Sequence, residues 1–247
     1  MNVFTSYETR RFTYKTDNES ELELECMGWN QGGCNMVWSD VLPRVVALHG
    51  RQMLANANVL ELGAGCGMIG LIASRFAPLV DISDGDPEEV ALICENCLQH
   101  AQSPSVAQGV HLEWGAIKAR EAVATGALRC KHYDVILASQ VVYVPAAIPF
   151  LVETIATLLA PNGVAWLYNC TVSTSSTHAI CKKILHDSLK QHGLYAKSGV
   201  HSSCVSPCSP TSASRDSPAM AMLTLPTGVS LPHEDAYLLK LTWYDEL

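Results

Sequence analysis

A chain of 247 residues that is 48% hydrophobic and 16% charged can bury a sizeable core and is too apolar to stay unfolded, so one domain over residues 1–247 is expected. No apolar run approaches the roughly 18 residues that cross a bilayer, the N-terminal stretch lacks a signal-peptide core, and the ten cysteines are scattered; a cytoplasmic or nuclear protein with reduced thiols and no membrane partner is expected. A net charge of −8 argues against a surface that tracks phosphates, hence against nucleic acid, and favours a basic or lysine-presenting partner.

Residues 1–36 read as an N-terminal hairpin extension, with strands over Asn2–Tyr14 and Leu22–Met27 and a polar turn at Thr16–Ser20. Ser39 or Asp40 then caps a helix with Pro43 in its first turn and Gly50 as its stop. From Val59 onward short apolar strands alternate with longer helical segments, the pattern of parallel βαβ construction. Strands are expected at Val59–Leu62, Leu79–Ser83, Val110–Trp114, Tyr133–Ala138 and Val164–Asn169. Helices are expected at Met68–Phe76, Pro87–Ala101, Ala146–Leu159 and Thr177–Gln191. Residues 198–218 are rich in Ser and Pro and read as a mobile loop between a strand near Leu194–Val200 and a closing strand at Tyr237–Tyr244.

The segment VLELGAGCGMIGL carries a buried strand into a helix through Gly63, Gly65 and Gly67, where the backbone turns tightly and a ligand can approach without a Cβ in the way. Glu61 stands two residues before Gly63, where a carboxylate could receive a cofactor's amino group directly or through water. Asp84 ends the next strand, nineteen residues after Gly65, at the spacing of a carboxylate that accepts bonds from ribose hydroxyls. Both ends of a nucleoside pocket are therefore present. Gly65, Gly67 and Gly70 also satisfy GxGxxG, so an NAD(P)-dependent oxidoreductase stays open at this point. The Cys94-Cys97-His100 spacing is not read as a metal site, because no second ligand pair accompanies it.

Glu61-Leu-Gly-Ala-Gly-Cys-Gly67, Ser83-Asp-Gly-Asp86, Leu112-Glu-Trp-Gly115 and the upstream GWNQGGCNMVWSDVL together resemble the seven-β-strand protein-lysine methyltransferases, methyltransferase family 16, with the calmodulin-lysine methyltransferase branch nearest in character. The resemblance implies an α/β, Rossmann-like class I fold with a seven-stranded, mostly parallel sheet and an antiparallel last strand. It implies S-adenosyl-L-methionine as cofactor, held by Trp38, Gly63, Ala64, Gly65, Asp84, Trp114 beside the adenine, and Ser139, with Glu61 in support. It also implies a monomer acting on a protein substrate, a calmodulin-like protein or a translation factor being the candidates.

One departure bears on catalysis. Where the family has an acidic residue, two intervening residues and Tyr or Phe, this chain has Gln140-Val-Val-Tyr143. Gln140 and Tyr143 are thus expected to face the acceptor, but an amide can orient a lysine amine without the ion pair that a carboxylate forms. Lysine methylation with weaker electrostatic help, methylation of another nucleophile, and a non-catalytic S-adenosylmethionine-binding interaction protein all follow as readings.

Overall fold

Neighbouring residues in a strand point to opposite faces, and here both faces are apolar. Val59 and Leu60, Val135 and Ile136, and Leu137 and Ala138 each divide between two separate hydrophobic clusters. Strands buried on both faces belong to the centre of a layered α/β sheet. The computed structural model describes residues 7–18, 20–29, 39–101, 103, 105–170, 175–198 and 237–243.

The chain opens with the hairpin β1 (Tyr7–Lys15) and β2 (Glu21–Trp29), followed by α1 (Val41–Leu54). Then come β3 (Asn58–Leu62), α2 (Met68–Ala73), β4 (Leu79–Asp84), α3 (Pro87–His100), β5 (Ala107–His111) and α4 (Ala116–Ala124). The second half holds β6 (Tyr133–Ser139), a 3-10 turn at Pro145–Ala147, α5 (Ile148–Leu158), β7 (Leu159–Asn169), α6 (Ser175–Gln191), β8 (Leu194–Ser198) and β9 (Tyr237–Trp243). The main sheet has the order β5-β4-β3-β6-β7-β9-β8, with β9 antiparallel to both neighbours and β3 to β7 parallel. This is the seven-stranded arrangement that the family resemblance implies. One apolar cluster joins the hairpin, α1, α2 and α3 to one face; the other joins α4, α5 and α6 to the opposite face.

Two expectations shift. Gly50 does not stop the first helix but lies within α1, where a Cβ would come 2.3 Å from the Phe76 ring; its smallness serves close packing. The third parallel strand runs over Ala107–His111 instead of Val110–Trp114, because backbone pairing with Val80–Asp84 recruits the weak strand formers Ala107, Gln108 and Gly109. Trp114 consequently sits in the bend after β5. Helix α4 is an addition: the side chains it buries are Ala119 and Ala122, which give a faint apolar period. The expected loop at residues 198–218 falls, after Ser198, outside the described residues, as do Asn2–Ser6.

The hairpin is tied to the domain by Asn96, fully buried on α3. Its amide accepts from Met27 N–H at 2.8 Å and donates to the Met27 carbonyl at 2.8 Å and the Cys66 carbonyl at 2.9 Å. At the far side of the sheet Asp81, wholly buried in β4, accepts from the Arg129 guanidinium at 2.6 Å, the Arg129 backbone N–H at 2.9 Å and the Tyr133 hydroxyl. Arg129 also donates to the carbonyls of Val80, Ser105 and Val106, so one side chain joins the start of β4 to the segment entering β5.

Removing one member of a buried pair leaves the other charge uncompensated. Asp81→Ala is expected to lower stability by about 3 kcal/mol, the low end of the range for such pairs, because the Arg129 side chain keeps 23% of its exposure. Urea unfolding followed by circular dichroism measures this as a drop in midpoint at unchanged slope.

Candidate functional site

Parallel strands bring their C-terminal ends to one edge, and the chain reverses direction along the sheet between β3 and β6. Ligands of open α/β sheets bind at such a switch point. The turn leaving β3 and the loop leaving β6 face each other there. Val141 of the second loop lies so close to Gly63 of the first that a Cβ at Gly63 would come 2.7 Å from Val141 Cγ1 and 3.1 Å from Trp114 Cζ2. Gly63 also has φ +63°, so both space and backbone geometry demand glycine. The structure thereby assembles Gly63, Val141 and Trp114 from three separate loops.

Next to them the turn is pinned to the end of β4. Ala64 N–H donates to the Ser83 carbonyl at 3.0 Å and Gly65 N–H to Asp84 Oδ2 at 2.9 Å. Asp84 Oδ1 accepts from Asp86 N–H at 3.0 Å, and Asp86 in turn caps α3 by accepting from Glu88 N–H at 2.8 Å. A carboxylate has about four acceptor positions, so two remain on Asp84 for hydroxyl groups. Among the described residues, and apart from its chain neighbours, nothing lies within 4 Å of where a Cβ at Gly65 would be; the turn opens beside that carboxylate. A nucleoside with a ribose diol fits this combination.

Glu61 has a different position from the rest of the set. It is 2% exposed, and its carboxylate accepts from Gly70 N–H at 2.7 Å, bracing the first turn of α2. Burial pushes its pKa well above the ordinary 4.5, against the opposing bond from Gly70.

Trp114 is held from behind. The Gly115 N–H donates to Thr154 Oγ1 at 2.7 Å and the Ala116 N–H to Glu153 Oε2 at 3.2 Å, which fixes the bend on α5. Ser139, half-buried, ends β6 at the crevice. Trp38 lies outside the described residues.

Gln140 does not present its amide freely. Its side-chain carbonyl accepts from Cys170 N–H at 2.9 Å and its NH2 donates to the Cys170 sulfur, while its own N–H donates to the Tyr168 carbonyl at 2.8 Å. It is 9% exposed and has φ +59°, the one left-handed non-glycine residue among those described. Asn169, which sequence reasoning missed, repeats the device: it accepts from Val142 N–H at 3.0 Å and donates to the Val142 carbonyl at 3.3 Å. The two amides clamp the loop after β6 onto the end of β7 and leave Tyr143 exposed at the rim. The polar Asn at the end of the apolar run AWLYN was the available signal.

Residues 18–186 match the family described as lysine methyltransferase. The chain belongs to the lysine methyltransferase family. A protein N-lysine methyltransferase of Xenopus tropicalis, METTL21A, is 29% identical over 147 residues, 56% of this chain and 62% of that protein. The EEF1A lysine methyltransferase 3 of Mus musculus is 30% identical over 109 residues, 44% of this chain and 43% of that protein. The matches thus span less than two thirds of the length of these relatives. In fold the chain resembles the precorrin-6y C5,15-methyltransferase of Geobacter metallireducens, with a TM-score of 0.50 at 14% identity over 83% of this chain and 88% of that one. Family membership makes S-adenosylmethionine the cofactor and closes the nicotinamide alternative that GxGxxG leaves open.

Two outcomes follow from the geometry. Gly63→Ala forces a side chain into Val141 and strains the backbone; it is expected to abolish detectable S-adenosylhomocysteine binding by calorimetry, with the far-ultraviolet dichroism of the fold retained. Glu61 binds a proton more readily in the folded chain than in the unfolded one. Its contribution to stability is therefore full below its ordinary 4.5 and is lost as pH climbs toward the raised folded value. Glu61→Gln keeps an acceptor for Gly70 and removes the charge, so its melting temperature relative to the wild type rises as pH climbs from the ordinary 4.5 toward the raised folded value.

Proposed function

We propose that this protein is an S-adenosylmethionine-dependent protein-lysine N-methyltransferase, acting as a cytoplasmic or nuclear monomer on another protein. The observation that carries the reading is the convergence of Gly63, Gly65, Asp84 and Trp114 on one crevice within the segment that matches the lysine methyltransferase family. The relatives named above methylate lysine by their names, and one names a translation factor as its substrate; a translation factor is accordingly the first substrate class to test here. The net charge of −8 suits a partner that offers lysines.

When bound, S-adenosylmethionine supplies an electrophilic methyl group on a positively charged sulfur. The chain's own work is positional. Asp84 and the Gly65 turn hold the nucleoside, Trp114 bounds it, and the clamped loop with Tyr143 forms the rim that an acceptor must cross. Before attack the acceptor amine, with an unperturbed pKa of about 10.4, must lose its proton. Position 140 provides no carboxylate to draw in the ammonium form, and the amide there is occupied by Cys170. Proximity and alignment supply the acceleration.

Without a charged partner for the amine, the fraction of neutral acceptor sets the rate. Turnover at saturating cofactor is expected to rise about tenfold per pH unit through the neutral range, as for an unperturbed lysine. Tritiated-methyl labelling of a cell lysate by the purified chain should yield methyl-lysine on hydrolysis, and Gly65→Arg should yield none. Label on another residue type would redirect the activity; S-adenosylhomocysteine binding with no label on any protein would make this an interaction protein.

A further inference from the structure

Away from the cofactor crevice, helices α4 and α5 part around a cavity of about 620 Å3. Lys131 and His132 at the entry to β6, His192 just after α6 and Trp243 at the end of β9 line it, and all of these points lie at the sheet edge opposite the crevice. Arg120 of α4 adds a guanidinium. The volume falls within the roughly 300–1,000 Å3 of sites that hold one small molecule.

Charge selects the ligand. The protein carries a net charge of −8, yet the charged lining is mainly basic: Arg120, Lys131, His132 and His192 against one carboxylate, Glu153. Glu153 is already engaged, accepting from the Ala116 N–H at 3.2 Å. Among the described residues, the other four side chains enter no hydrogen bond or ion pair. A single unpaired cation is ordinary on a surface, but four basic groups around one concavity on an acidic protein concentrate a field that draws in an anion. Arginine offers a planar fork of donors that matches a phosphate, lysine a point charge, and imidazole an N–H donor.

Shape narrows the anion. The Trp243 Nε1–H donates to the Ala160 carbonyl at 3.0 Å, which fixes the plane of a half-buried indole at the cavity wall. A fixed indole beside cations is a platform on which an aromatic ring stacks. Val123, Ala156 and Leu158 give apolar wall for the rest of the ligand. We infer that this cavity is a second ligand site, taking a nucleoside monophosphate with its base against Trp243 and its phosphate among Arg120, Lys131 and the two imidazoles. The site is separate from the methyl-donor crevice and does not depend on that reading.

The test titrates the full chain with adenosine, guanosine, cytidine and uridine monophosphates, by calorimetry and by tryptophan fluorescence. Because the crevice also fits a nucleoside, the titrations are repeated on Gly65→Arg, which fills the glycine turn. Expected are quenching and equal affinity in the wild type and Gly65→Arg for at least one nucleotide, with its nucleoside and inorganic phosphate each binding about tenfold more weakly or worse. Arg120→Gln and Lys131→Gln each remove one charged contact and weaken binding about tenfold. Both side chains are exposed and unbonded, so these variants fold as the wild type does. Trp243→Phe keeps a ring for stacking and abolishes the quenching. The inference is overturned by binding that is lost in Gly65→Arg, by affinity indifferent to Arg120→Gln and Lys131→Gln, by phosphate binding as tightly as the nucleotide, or by no nucleotide binding at all.

Discussion

The bond from the Gly65 N–H to the Asp84 carboxylate joins the ends of two adjacent parallel strands and organises most of what lies above the sheet. The glycine turn is short of partners by nature, since a tight strand-to-helix connection turns its amides outward. Asp84 satisfies one of them and the Ser83 carbonyl another, so the turn is formed before any ligand arrives. Asp84 itself is fixed by the capped start of α3. A carboxylate with its orientation already set would lose little freedom on accepting a ligand hydroxyl, which is the energetic meaning of preorganisation.

The other side of the crevice is built from amides. Gln140 turns its side-chain carbonyl to the Cys170 N–H and its NH2 to the Cys170 sulfur, Asn169 turns its own to the Val142 backbone, and together they bind the loop after β6 to the end of β7. Gln140 adopts a left-handed backbone to do so, a conformation that a side chain holds only when its surroundings insist. Gln140, which the family resemblance puts opposite the acceptor, is here part of the scaffold. Chemistry on that side then depends on how firmly the rim is held and how well the acceptor is aligned.

How much of this could be read from the sequence depended on range. Gly63, Gly65 and Asp84 were legible because a turn and a carboxylate nineteen residues on form a local pattern with few alternatives. The alternating elements from Val59 were legible for the same reason. Helix α4 was hidden by the small size of Ala119 and Ala122, which bury little area each. The bend that carries Trp114 was misplaced because β5 owes its register to β4 and not to its own residues. The engagement of Gln140 with Cys170 could not be anticipated at all, since it joins positions thirty residues apart through a backbone conformation that glutamine rarely takes.

Asn96 has a consequence for how the molecule comes apart. Its one amide serves Met27 on the hairpin and Cys66 in the cofactor turn, from a position of zero exposure on α3. If the hairpin opened alone, the Cys66 carbonyl would lose the Cys26 thiol and the Asn96 amide would lose both of its bonds to Met27 inside the domain. Hairpin, turn and α3 therefore open as one cooperative unit, a foldon in which the outermost strands share the opening free energy of the ligand loop. A ligand that stabilises the turn thereby also slows fraying of the β1–β2 hairpin, so occupancy of the crevice is felt across the whole cooperative unit.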